Sequence, residues 1–169
     1  MTHFELYDLP ISLKIDATQL KQKFYALSRK YHPDFFTASS EAEQAEALQL
    51  SAQVNKAFKI LSDADETIKY VLQLKNLLDE EEKYALAPDF LMDMMELSEQ
   101  AMEAKMDDDT TTISNIKLQI SNLQLTIYEP VKNIVEAYQE GSTTEKELLQ
   151  VKEYYYQKKY LNRILASLV

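Results

Sequence analysis

Tyr31-His32-Pro33-Asp34 is the segment whose residue types and order could do chemistry. Pro33 fixes its own backbone torsion and pushes His32 out of the helical region, so His32 and Asp34 project from a stiff corner. A carboxylate held there can make a strong, charge-assisted pair with an arginine. Nothing around it suggests bond-breaking chemistry. No nucleophile triad, paired carboxylates or glycine-rich phosphate loop is visible, so the chain reads as a non-enzyme. It has no cysteine, and His3 and His32 lack metal-site spacing. Neither a metal nor a cofactor is therefore expected.

The corner needs elements to hold it. Upstream, Leu20, Phe24, Leu27 and Tyr31 fall at helical spacing, with Asp16 or Thr18 as the N-cap. The other faces carry Lys21, Lys23, Arg29 and Lys30, and no acid occurs between Ala17 and Pro33. This is a basic amphipathic helix. By itself that pattern more often marks a solvated face than a partner site. Downstream, a second long helix is predicted from near Glu41, with its apolar stripe through Ala47, Leu50 or Ser51, Val54, Ala57 or Phe58, and Leu61. The connection is short enough for an antiparallel hairpin. A shorter helix beginning at Asp65-Glu66 carries Ile68, Val71, Leu72 and Leu74.

The 169 residues include one glycine and four prolines, a composition of helices joined by short turns. Charge is uneven: residues 1–75 hold nine basic and ten acidic side chains, residues 76–169 nine and eighteen. Such acidity argues against nucleic acid, whose phosphates it would repel. No apolar run is long enough to span a membrane. The opening MTHFELYDLP resembles neither a secretory signal nor a transit peptide, so a cytoplasmic protein is expected.

Residues 76–88, with Asp79-Glu80-Glu81-Glu82, read as a link between a domain of residues 1–75 and one of residues 89–169. Three helices are predicted in the second domain. The first follows Pro88 to about Lys105. The second runs to about Glu140, kinked at Pro130 and ended by Gly141. The last is capped by Thr143 or Thr144. The first has a core stripe of Phe90, Met94, Leu97 and Ala101. That leaves Leu91, Met92 and Met95 over, rimmed by Glu96, Glu99 and Glu103. Periodicity alone favours a wide core stripe. A partner surface is the other reading, because flexible, polarizable methionines suit one.

Tyr31-His32-Pro33-Asp34 after a basic helix, followed by Asn55-Lys56-Ala57-Phe58-Lys59-Ile60-Leu61-Ser62-Asp63, resembles a J-domain. Phe4-Glu5-Leu6-Tyr7-Asp8-Leu9-Pro10 resembles that family's first short helix. One departure stands out: Ala64 and Asp65-Glu66 replace the family's usual proline and basic residues. With a short link and then Phe90-Leu91-Met92 through Glu99, nearly the whole chain resembles the HscB family.

The resemblance implies an all-α fold, an N-terminal J-domain and a C-terminal three-helix bundle. It also implies a co-chaperone that stimulates the ATPase of a DnaK/HscA-type chaperone and brings it the iron–sulfur scaffold protein IscU. His32, Pro33 and Asp34 would trigger hydrolysis, and Lys21, Lys23, Arg29 and Lys30 would steer docking. Leu91, Met92, Met95, Glu96, Glu99 and Glu103 would hold the scaffold. Tyr156, in a last helix where Lys152 and Tyr154-Tyr155-Tyr156 occupy the family's basic-apolar stretch, is expected to be exposed and to join them. The alternative is a J-protein for other clients. Such proteins more often carry a Gly/Phe-rich linker and cysteine-rich zinc repeats, neither of which occurs here.

Overall fold

A computed structural model of the chain describes residues 1–169 and contains only helices and their connections. The chain divides into two units: Met1–Leu74 with Tyr138–Ser142, and Lys75–Ala137 with Thr143–Val169.

In the first unit α1 spans His3–Leu6, α2 Ala17–Lys30, α3 Glu41–Leu61 and α4 Ala64–Leu74. Side chains hold the helix starts. The Asp16 carboxylate accepts from the Gln19 amide at 2.8 Å, and the Ser40 hydroxyl accepts from Glu43 at 3.2 Å. α2 and α3 form the predicted hairpin, with Phe24 stacked on Phe58 at 4.2 Å between ring centroids. Leu20, Ala47, Val54, Ala57 and Leu61 are buried, as are Phe4, Tyr7, Ile68, Val71 and Leu72. The Tyr7 hydroxyl donates to the Val54 carbonyl at 2.7 Å, which satisfies its buried polar end. The departure at Ala64-Asp65-Glu66 has a local reason. Asp63 caps α4 by accepting from the Asp65 and Glu66 amides, and the two acids sit at the positive end of the helix dipole.

In the second unit α5 spans Pro88–Met106, α6 Thr110–Tyr128, α7 Lys132–Glu136 and α8 Glu145–Ser167. Pro88 occupies the first turn of α5, where its missing N–H costs nothing. Asp109 opens α6, accepting from the Thr112 amide and hydroxyl. The core joins Met94, Leu97, Ala101 and Ala104 of α5 to Ile116 and Ile120 of α6 and to Leu161 and Ile164 of α8.

Two boundaries differ from expectation. Pro130 does not merely kink one long helix. α6 stops at Tyr128, Glu129–Val131 forms a 3-10 turn, and α7 ends at Glu136. Without an N–H, and with its ring against the preceding turn, proline ended the ladder. Gly141 therefore caps no helix. It takes a left-handed turn at φ +82°, beyond the C-cap residue Ala137.

Candidate functional site

α2 ends at Lys30, and His32 takes the extended conformation (φ −65°, ψ 129°) that a following proline demands. Pro33–Phe36 then form a single 3-10 turn. The Asp34 amide donates to His32 Nδ1 at 3.2 Å. Nδ1 is thus an acceptor, which places the proton of the neutral ring on Nε2. The Asp34 carboxylate lies 3.6 Å from Nδ1 with 85% of its side chain exposed. The amide hydrogen bond fixes the backbone of Asp34, and its carboxylate is open to an incoming cation.

Arg29 and Lys30 are exposed at this end of α2, and Lys21 is exposed nearer the start of the helix. Lys23 is only partly so, because its ammonium donates to the Asp8 carbonyl at 2.6 Å and ties α2 to the preceding loop. Three residues beyond the expected set belong to the same surface. Tyr25, Ser28 and Phe35 line an open groove together with Arg29, His32 and Asp34. Tyr25 and Phe35 are among the exposed large apolar side chains. The available clue was that Tyr25 lies off the α2 core stripe.

On α5, Leu91, Met92 and Met95 are 36%, 67% and 52% exposed, whereas Met94 and Leu97 are buried at 3% each. Glu96, Glu99 and Glu103 are exposed beside them. Phe90, expected in the core, is only partly buried because it lies in the first turn, at the end of the bundle.

The last helix corrects the expectation for Tyr156. Lys152, Tyr154 and Tyr155 are buried, and Tyr156 is half-buried. The Lys152 ammonium pairs with Glu82 at 2.8 Å, and the Tyr156 hydroxyl donates to the same carboxylate at 3.2 Å. Tyr84 lies flat on Tyr156, with ring centroids 4.5 Å apart, and hydrogen-bonds Glu153. Residues of the expected linker thus seal the middle of α8, and Leu78 is buried as well. The Lys152 hydrogen bond holds the Glu82 carboxyl below the ordinary glutamate range. Burial first, and then Glu82, push the Tyr156 hydroxyl up to about 12.

This clip has a pH signature. A carboxyl whose folded pKa is depressed adds stability above its unfolded pKa and loses it as pH falls through the folded value. Glu82→Gln should therefore lower unfolding free energy by about 1 kcal/mol at neutral pH, the scale of a partly exposed pair. Chemical denaturation curves of variant and wild type should converge below the ordinary glutamate range. A gap that does not change with pH would mean that the Glu82 charge contributes nothing.

No helix is long and apolar enough to cross a membrane, and no cluster of three or more histidine, aspartate or glutamate side chains could hold a metal ion.

Comparison with known proteins fits both units. Residues 5–70 match the DnaJ domain model, and residues 86–169 match the HSCB C-terminal oligomerisation domain model. A co-chaperone protein HscB homolog of Vibrio cholerae is 38% identical over 101 residues, 59% of each chain, so that match spans less than two thirds of the relative. A homolog of the same name from Neisseria meningitidis is 32% identical over 123 residues, 72% of this chain and 74% of the relative. Among solved structures, the chaperone HscB from Vibrio cholerae superposes with a TM-score of 0.77 at 25% identity, over 99% of this chain and 95% of the other. Human co-chaperone HscB gives 0.83 at 24% identity, over 99% and 80%, a likeness of fold. With a DnaJ domain over residues 5–70, an HscB C-terminal domain over residues 86–169 and a 32% identical HscB homolog matched over 74% of its length, the chain belongs to the HscB family of co-chaperones.

Proposed function

We propose that this chain stimulates the ATPase of a DnaK/HscA-type chaperone through His32, Pro33 and Asp34, and carries the iron–sulfur scaffold IscU to it on the exposed face of α5. One observation above all supports this reading. A single chain combines an oriented, solvent-open Asp34 with a helix whose Leu91, Met92 and Met95 stand exposed inside a rim of Glu96, Glu99 and Glu103. The first is a point of attachment for an arginine on the ATPase, and the second is apolar area that a folded client would cover. The work would take place in the cytoplasm.

A pull-down from native lysate tests the client. Recovery of IscU together with a DnaK/HscA-type chaperone supports the reading. Recovery of the chaperone with assorted unfolded proteins and no scaffold points to a J-protein for other clients.

The basic face makes a separate, kinetic prediction. Lys21→Glu combined with Arg29→Glu should slow association with the chaperone about tenfold, and the wild-type rate should fall with added salt. Lys23 is left intact because its ammonium braces the loop at Asp8. Stopped-flow association rates indifferent to both salt and charge reversal would remove this face from docking.

A further inference from the structure

α5 concentrates the oxidisable sulfur of the chain. The sequence holds no cysteine and six methionines, and five of the six lie on this one helix, from Met92 to Met106. A helix turns by about 100° per residue, so Met92, Met95, Met102 and Met106 fall within an arc of about 80°, and Met94 falls outside it. Exposure follows the same division. Met92, Met95, Met102 and Met106 are 67%, 52%, 64% and 78% exposed, whereas Met94 is buried in the bundle core. Leu91 shares the exposed face, but it has no thioether for an oxidant to reach.

The chemistry is a single oxygen transfer. The thioether sulfur attacks one oxygen of hydrogen peroxide. An S–O bond forms, the O–O bond breaks, sulfur gives up two electrons and the other oxygen leaves as water. Hydrogen peroxide is uncharged, so the acidic rim of Glu96, Glu99 and Glu103 does not repel it. The product lacks the property that the face needs. A sulfoxide is polar, and its oxygen accepts hydrogen bonds. The face has little to offer it: ionised carboxylates only accept, and the N–H groups within the helix are committed to its own ladder. Water satisfies the oxygen in the free protein. A client seated on Met92 and Met95 removes that water, and a polar group buried without a partner weakens binding.

We propose that Met92 and Met95 are a reversible oxidation site through which peroxide controls client binding, with Met102 and Met106 oxidised alongside and Met94 spared. This rests on the reading that α5 carries the scaffold. Reversal takes a methionine sulfoxide reductase and a dithiol. The sulfoxide oxygen leaves as water, sulfur regains two electrons and the dithiol closes to a disulfide. Folding is untouched at every stage, because the four oxidised sulfurs lie outside the core cluster that holds Met94.

The test treats wild-type protein with hydrogen peroxide, removes the peroxide by gel filtration and titrates cluster-free IscU by calorimetry. Peptide mass spectrometry should find sulfoxide at Met92, Met95, Met102 and Met106 well before Met94. The oxidised protein should keep its circular dichroism while its Kd rises about tenfold, the scale of burying a polar group without a partner. Sulfoxide reductases with dithiothreitol should restore the affinity. Met92→Leu combined with Met95→Leu, compared before and after peroxide, should change its own Kd by less than about twofold, since no oxidisable sulfur remains at the site. Met102→Leu combined with Met106→Leu should keep the full wild-type response to peroxide. The proposal is overturned if oxidised wild type binds undiminished, if the Met92/Met95 variant responds as wild type does, or if the Met102/Met106 variant ceases to respond. Sulfoxide at Met94 as early as at Met92, or loss of binding together with loss of helix, overturns it too, by assigning the effect to damage in the core. Absence of binding by the reduced wild type would instead overturn the scaffold reading, and control of client binding with it.

Discussion

Asp34→Asn should abolish stimulation of the partner chaperone's ATPase while leaving the protein folded. The carboxylate stands at the head of a stiff turn, 85% exposed, with His32 Nδ1 as its near neighbour at 3.6 Å. Asparagine keeps the shape and one acceptor oxygen but removes the charge. A hydrogen bond to a charged group contributes about 1.5–3 kcal/mol, so its loss weakens a coupled docking event roughly 10- to 100-fold. Unfolding free energy should move by less than about 0.5 kcal/mol, since this side chain neither fills the core nor caps a long helix. The backbone amide of residue 34 still donates to His32, so the corner keeps its geometry. Single-turnover ATP hydrolysis, with circular dichroism alongside, measures both halves of the prediction. A variant that stimulates as well as wild type would strip the carboxylate of its role. One that fails to stimulate because it has melted would assign Asp34 to the fold instead.

Much of this corner was legible in the sequence because its constraints are local. Pro33 acts on His32 through the covalent backbone, and Ser40, Asp16 and Thr144 cap helices two or three residues away. The α2–α3 pairing was legible because each helix has a single apolar stripe. Tyr25 left only the clue of lying off the α2 stripe and Phe35 left none, since only the folded loop brings them beside Asp34. Lys23 escaped for the opposite reason. A lysine in a basic run looks solvated until the Asp8 carbonyl is seen to accept a hydrogen bond from its ammonium.

The acidic run Asp79 to Glu82 shows where sequence reading stops. A charge cluster with no periodicity reads as a solvated link, yet Glu82 meets Lys152 and Tyr156, seventy and seventy-four residues away. That segment also accounts for one of the four tyrosines on α8. One helix cannot bury four tyrosines on one stripe, but a segment laid across it can cover Tyr156 with another tyrosine, Tyr84. Long-range coverage of this kind leaves no mark in local periodicity. Pro130 is intermediate: its disruption was foreseeable, but its degree depended on whether the bundle could seat Val131 and Val135 after a break, and both are buried.

Replacing Leu91, Met92 and Met95 together by alanine should weaken scaffold binding by about 2–4 kcal/mol, the cost of truncating central interface anchors. The three carry their exposure on successive turns of α5, inside the glutamate rim. Their truncation removes contact area without removing charge, so association should remain fast while dissociation speeds up. Folding should be nearly unaffected. Alanine is at least as good a helix former as leucine or methionine, and exposed side chains leave no cavity when shortened. Met94 gives the contrast. It lies 3% exposed in the cluster with Leu97, Ile120 and Leu161, and Met94→Ala should cost about 2–5 kcal/mol of stability. Surface plasmon resonance against immobilised IscU, paired with thermal unfolding, separates these cases. If the triple variant melts early, as Met94→Ala should, Leu91 and its neighbours belong to a wide core stripe, the plainer of the two readings that periodicity offered. If it folds normally and binds the scaffold undiminished, α5 is not the client face and the bundle serves another partner.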